Sequence, residues 1–190
     1  MEIKIFHNDS NTPLRELADL LNRAFVERQK EGIGFSYVSY TAEDLMKHVK
    51  DGYYIVGYID DKVVGMVALL QKERFGVKYT THECLAVDPE LKNKGIATKL
   101  FLSFLEIAKE LHSDFIVSTT AEKASSSIRY HKKNGFKTFL FVSFPSTPYY
   151  SYCFIYPINR FKFLNYSVFN KTILAASFLF TKLFKREKNG

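Results

Sequence analysis

The chain has 190 residues, 46% of them hydrophobic and 16% aromatic, with no tryptophan and a formal net charge of +7. That length and composition fit one globular domain with an appendage, large enough to bury a full core. Two cysteines, Cys84 and Cys153, are too few for a disulfide framework, and no CxxC or Cys/His cluster points to a metal. Both read as buried, reduced thiols. The positive charge suits nucleic acid, anionic lipid or an anionic cofactor. No zinc finger, helix-turn-helix or RRM-like aromatic motif favours nucleic acid.

Residues 2–7 read as a strand rather than a signal peptide, because no long apolar run follows. No apolar run reaches the ~18 residues of a membrane span, and the chain reads as cytoplasmic. Asn11 or Thr12 can cap a helix with Pro13 at its first position. Leu14, Leu17, Ala18, Leu21, Ala24 and Phe25 form its apolar face, and it ends near Gly32. An aromatic loop spans 32–40. Thr41 and Asp44 make a capping box for a short helix to about Lys50. Strands over 53–59 and 63–71 are joined by a tight hairpin at Asp60-Asp61-Lys62, and a third runs from about Lys78 to Val87. A helix over 91–112 places Ala97, Leu100, Phe101, Phe104, Leu105, Ala108 and Leu111 on one side. A short strand (115–119) follows, then a helix (122–134) ended by Asn134-Gly135. Strands over 136–144 and 149–156 come last.

Three successive strands favour antiparallel pairing, while the strand-helix-strand passage into 115–119 favours a parallel pair. The expected fold class is α/β (α+β), with a mixed, mostly antiparallel sheet of about seven strands and helices on both faces. The expected domain is 1–156, followed by an extension over 157–190. Within it, Asn159 to Lys185 has the pattern of an amphipathic helix with basic ends. Such a helix suits peripheral contact with an anionic membrane through 159–186, packing on the domain, or packing on a second subunit in a homodimer. The pattern leaves these open.

The most informative stretch is 83–100. An apolar strand ends at Val87, Asp88-Pro89 turns the chain, and a loop with one glycine opens an amphipathic helix. The free N–H groups at such a helix start suit a phosphate. Lys92-Asn93-Lys94-Gly95-Ile96-Ala97 resembles the Gln/Arg-x-x-Gly-x-Gly/Ala signature of the GNAT N-acetyltransferase superfamily, with Lys at the first position. Downstream, Ser127-Ile-Arg-Tyr-His-Lys-Lys-Asn-Gly-Phe136 is similar to that family's helix-to-strand segment. The order of elements matches as well, so the resemblance covers about 1–156.

The resemblance implies the GNAT (acyl-CoA N-acyltransferase) fold and acetyl-CoA as co-substrate. The implied reaction moves an acetyl group, by direct attack, to the amine of a small-molecule acceptor, sugar-like or amino-acid-like. The N–H groups of Lys94, Gly95, Ile96, Ala97 and Thr98 would hold the pyrophosphate, in a loop that also carries Lys92 and Asn93. Leu85, Ala86 and Val87 would pair with the pantetheine arm. A catalytically weak acyl-CoA-binding or membrane-associated scaffold on the same fold is the alternative.

Acetyl transfer to an amine calls for a base and a proton donor. Glu83 is the base candidate. It is expected on the face of Leu85 and Val87, and a carboxylate in so apolar a strand is unusual. Its bland alternative is an ordinary strand carboxylate paired with a Lys. Thr81 shares its face, and His82 points the other way and reads as structural. By register with Gly135-Phe136, the tyrosine that acts as acid in many family members falls on His131, with Tyr130 about 100° around the helix. His131, Tyr130 and no protein acid stay open. The family's helix-capping Asn has no match; Ala124 lies near that register, with Ser125 to Ser127 beside it. The acceptor is expected between two aromatic walls, Phe35, Tyr37 and Tyr40 on one side and Phe144, Tyr149, Tyr150 and Tyr152 on the other. Packing of these rings onto the sheet is the alternative.

Overall fold

The structure, a computed structural model, describes residues 1–29, 36–74, 76–144, 147 and 149–159. Phe35 and the body of the C-terminal extension lie outside the described residues. One seven-stranded sheet organises the chain. Its strands are β1 (Glu2–His7), β2 (Tyr53–Ile59), β3 (Lys62–Arg74), β4 (Val77–Val87), β5 (Phe115–Ala121), β6 (Lys137–Ser143) and β7 (Tyr150–Pro157). They lie in the order β1-β2-β3-β4-β5-β7-β6. Every neighbouring pair is antiparallel except β4 and β5, which the crossover helix makes parallel.

Alternation along the strands sends side chains to two cores. On one face, Tyr54, Val56, Met66 and Ala86 pack under α1 (Leu14–Gln29) and α2 (Ala42–His48), against Leu17, Leu21, Phe25 and Leu45. On the other, Ile55, Val64, Leu69, Ile116 and Phe154 meet α3 (Ile96–Glu110), through Leu100, Phe101 and Phe104. The last helix, α4 (Ser125–Lys133), adds Ile128 and Tyr130 to this second face. The capping box at α2 forms as the sequence indicates. Thr41 accepts from the Asp44 N–H, and Asp44 accepts from that of Thr41.

Two local features depart from the strand and helix patterns. The helix expected from residue 91 begins at Ile96. Pro89–Leu91 forms a short 3-10 turn, and Asn93 (φ 65°) and Gly95 (φ 78°) take left-handed backbone, which stops helical hydrogen bonding until Ile96. The second feature is a bulge in β4. Met66 stands opposite Ala86, but Ala68 stands opposite Glu83, so β4 carries one more residue than β3 between these pairs. Cys84 sits in the bulge at φ 52°.

Candidate active site

The bulge decides where Glu83 points. Regular alternation would put it with Leu85 and Val87. Instead Leu85 and Val87 pack with the α3 core, while Cys84 and Ala86 join the α1/α2 core. Glu83 turns toward α2, where its Oε2 accepts a 2.8 Å hydrogen bond from His48 Nε2. The expected shared face is therefore corrected: the extra residue flips the strand's parity after Glu83. Lys72 Nζ stands 4.0 Å from the other carboxyl oxygen. Burial pushes the Glu83 carboxyl up, but the hydrogen bond and charge of His48, with Lys72, outweigh it. Its pKa lies below the ordinary glutamate value. Tyr40 OH lies 3.5 Å from the other ring nitrogen of His48. Nothing in the spacing of the chain joins residues 40, 48 and 83, and His48 was not legible as a partner.

Beside Glu83 the sheet opens. β4 and β5 pair only from Tyr79 to Thr81, opposite Phe115 to Val117. Beyond that point the strands pair no further, although β4 runs on to Val87 and β5 to Ala121. A cavity of about 420 Å³ occupies this region, bounded by residues 81–85 of β4, 117–121 of β5 and parts of α1, α4 and the loop before β7.

At the far end of β4 lies the phosphate-type loop. Asp88, only 4% exposed, accepts from the Glu90 N–H (3.1 Å) and faces Arg23 Nη2 (3.5 Å) and Lys62 Nζ (3.8 Å). These contacts tie the turn to α1 and to the β2–β3 hairpin. Lys92, Asn93, Lys94 and Gly95 are exposed. No side chain caps α3, so the N–H groups of its first turn point outward from Ile96, Ala97 and Thr98. A Cβ built on Gly95 would meet no atom within 4 Å. The protein does not need glycine there for packing; the positive φ and the open space above it both suit a closely approaching phosphate. Together with the unpaired stretch of β4, this loop fits a nucleotide-linked thioester.

Across the opening is a buried polar chain. His82 (4% exposed) receives Tyr130 OH at Nε2 (3.0 Å), and its Nδ1 is 3.4 Å from Ser118 Oγ. Ser118 Oγ in turn lies 2.8 Å from His131 Nε2, and His131 Nδ1 donates to the Ser127 carbonyl (2.7 Å). Burial pushes His82 down to about 3, helped by His131 beside it, and pushes His131 down to about 4. Both rings are neutral at pH 7. With Nδ1 donating to a carbonyl, His131 accepts at Nε2, which makes Ser118 the donor between them. His131 (2% exposed) and Ser118 both reach the cavity, whereas Tyr130 is not part of its lining. Burial also holds the Tyr130 hydroxyl well above its usual range. Ser118 was not legible as a site residue.

Among the aromatic candidates, Tyr37 and Tyr149 line the cavity, as does Phe144. Burial, then Cys84 and Glu83 beside it, raises the Tyr37 pKa. Tyr40 packs behind, its ring 5.0 Å from that of Tyr37. Tyr150 is 52% exposed and stacks on Phe141 at 5.2 Å, and alternation gives its place in the wall to Ser151. Ala124 is the N-cap of α4 and supplies no side-chain cap; Ser127 lines the cavity and accepts from Thr120 Oγ1 (2.8 Å). Among the described residues no cluster of His, Cys, Asp and Glu has the makings of a metal site, and no helix is long and apolar enough to cross a membrane.

A sheet split beside a glycine loop at a helix start defines an acyl-CoA-dependent transferase fold. The model of the acetyltransferase (GNAT) family matches residues 14–136, and the chain belongs to that family. It is a GNAT-family acetyltransferase with acetyl-CoA as co-substrate. Solved structures agree on the fold. A GNAT acetyltransferase from Streptococcus pneumoniae superposes with a TM-score of 0.65 at 16% identity, over 83% of this chain and 99% of that one. The PaiA N-acetyltransferase from Thermoplasma acidophilum, in complex with coenzyme A, does so with 0.61 at 18% identity, over 83% and 99%. An aminoglycoside 6'-acetyltransferase type Ii gives 0.66 at 16% identity, over 83% and 97%. No curated protein sequence matches the chain.

Proposed function

We propose that the enzyme acetylates the amine of a small-molecule acceptor by direct attack, with acetyl-CoA held by the β4 edge and the α3 loop. The observation that carries this reading is the opening between β4 and β5, with the loop at one end and the Glu83–His48 pair at the other. Leu85, Ala86 and Val87 would hold the pantetheine arm by main-chain bonds, as an added strand does. Lys94, Gly95, Ile96, Ala97 and Thr98 would hold the pyrophosphate, with Lys92 and Asn93 at the rim. When bound, acetyl-CoA supplies the acetyl group as an activated thioester.

Glu83 is ionised at neutral pH and takes the amine's proton, directly or through water, while His48 fixes its orientation. On the other side, His131 has both nitrogens engaged and its pKa far below 7, so it holds no proton to give. Ser118 gives its one hydroxyl proton to His131 Nε2, so the leaving thiolate departs without a proton from these residues and takes one from water. Tyr130 supports the chain through His82. Tyr37 and Tyr149 cover the acceptor's body, with Phe144 beside them. The release of free thiol from acetyl-CoA, measured against a panel of amines, amino acids and amino sugars, tests this reading. Coenzyme binding without turnover across the panel would refute it in favour of a binding scaffold.

The extension beyond 157 is read as a separate basic, amphipathic segment. Liposome flotation of the full chain, with anionic and neutral vesicles, tests its proposed membrane contact. Equal flotation with both would remove that contact.

A further inference from the structure

One hydroxyl in the cavity wall finds no partner in the fold, and its place beside Glu83 deepens the acetyl-transfer reading, on which this inference rests. Among the described residues, five buried side-chain atoms have no hydrogen-bond partner: Asn8 Oδ1, Asn22 Oδ1 and the hydroxyls of Thr80, Thr81 and Ser113. Of these residues Thr81 alone lines the cavity, and it is 8% exposed. A buried hydroxyl without a partner costs stability, whereas valine fills the same space in a strand without that cost. Packing therefore gives no reason for a threonine at this point.

Its position gives one. Thr81 stands opposite Leu70 and Glu83 opposite Ala68, in regular register ahead of the bulge, so both side chains leave β4 on the same face. Thr81 is also the last residue of β4 paired with β5, opposite Val117, and so sits where the sheet parts. Residues two apart on a strand are separated by about 7 Å, a span that one water closes between two side chains. The Thr81 hydroxyl is close enough to help hold the Glu83 carboxyl low, but its geometry falls outside that of a hydrogen bond. That is the relation of a polar pair bridged by water. Glu83 Oε2 accepts from His48, which leaves Oε1, 4.0 Å from Lys72 Nζ, to accept from such a water.

We propose that Thr81 is a positioning residue, which fixes the water that carries the acceptor amine's proton to Glu83. Its hydroxyl donates to the water oxygen and the water donates to Glu83 Oε1, which leaves a lone pair on the water for the amine. As the amine nitrogen bonds to the acetyl carbon, its proton passes to the water, and the water gives one of its own to Glu83. The C–S bond breaks with its electron pair on sulfur, and the thiolate takes a proton from solvent.

Thr81→Val and Thr81→Ser test the proposal, through single-turnover release of coenzyme A from acetyl-CoA with the amine of the panel that turns over fastest. Thr81→Val should slow release by about ten- to a hundredfold, the range for a lost hydrogen bond in a charged network and for a misplaced reacting group. Its acetyl-CoA affinity by calorimetry should be unchanged, and its melting temperature unchanged or raised. Thr81→Ser keeps the hydroxyl and should keep most of the rate. In a Glu83→Gln background Thr81→Val should cost little, because both residues act through one water. If Thr81→Val does not fold, Thr81→Ala takes its place. A parental rate in Thr81→Val overturns the proposal, as does an equal loss in the Glu83→Gln background. So does a Thr81→Ser enzyme as slow as Thr81→Val, or a loss of rate that follows a lowered melting temperature. Each of these leaves acetyl transfer intact, whereas a panel in which no amine releases coenzyme A overturns both readings.

Discussion

Gly65 in β3 is where the sheet and the coenzyme loop press on each other, and Gly65→Ala puts that contact to the test. A Cβ there would stand 2.8 Å from Ile96 Cγ2 and 3.0 Å from Leu100 Cδ1. Leu100 can yield by a rotamer change. Ile96 yields less: it is β-branched, is buried, and follows Gly95 directly at the start of α3. Overpacking of this kind costs about 1–3 kcal/mol. For a chain of this size that lowers the melting temperature by about 2–12 °C, at about 2–4 °C per kcal/mol. Because Ile96 opens α3, the strain also displaces the first-turn N–H groups, and acetyl-CoA affinity should fall with stability. Thermal denaturation and calorimetric titration with acetyl-CoA measure both effects. The steric cause is isolated by repeating Gly65→Ala in an Ile96→Ala background, where the cost should shrink. An unchanged melting temperature, or the same cost in both backgrounds, would refute the reasoning.

Gly95→Glu should abolish measurable acetyl-CoA binding in calorimetry yet leave a folded protein, since the site has open space and the left-handed backbone adds only about 1–2 kcal/mol of strain. Glu83→Gln should slow transfer by about 10²-fold or more, most at low pH where other bases are scarcest; a parental rate and pH profile would exclude Glu83 as base. His48→Leu removes the hydrogen bond and charge of His48 that help hold Glu83 low and leaves burial opposed only by Thr81 and Lys72. The acid limb of kcat/KM should therefore move to higher pH, and an unmoved limb would show that Glu83 is not the group titrating. Acid stability should follow the buried histidines. Their folded pKa values, about 3 for His82 and about 4 for His131, lie below the unfolded value. Their contribution is thus complete above about pH 6.5 and is lost as pH falls through the window down to about 4, by about 1.4 kcal/mol per pH unit for each ring. Urea midpoints at pH 7, 6, 5 and 4 read this directly, and a flat series between 6.5 and 4 would contradict it.

Much of the site is local in the chain, and that part was legible. The turn at Asp88-Pro89, the left-handed Gly95 and the amphipathic run from Ile96 occupy consecutive residues, and backbone sterics alone shape them. The capping box at Thr41 is of the same kind. Parity along β4 is hidden in the chain, because a bulge adds one residue without altering the hydrophobic pattern, and simple alternation alone puts Glu83 on the face of Leu85 and Val87. Aromatic composition alone does not separate Tyr150 from Tyr149: Tyr150, at the start of β7, faces away from the cavity that Tyr149 and Ser151 line.

The sequence by itself determined the fold class, the run of strands and helices, and the loop that suits a phosphate, because each follows from periodicity, capping and turn chemistry over a few residues. Only the tertiary structure decided what faces that loop. His48 reaches Glu83 across 35 residues, and Ser118 links His82 to His131. Such pairings are set by strand register, by a bulge that reverses a face and by the parting of β4 from β5. None of these leaves a repeating mark on the chain.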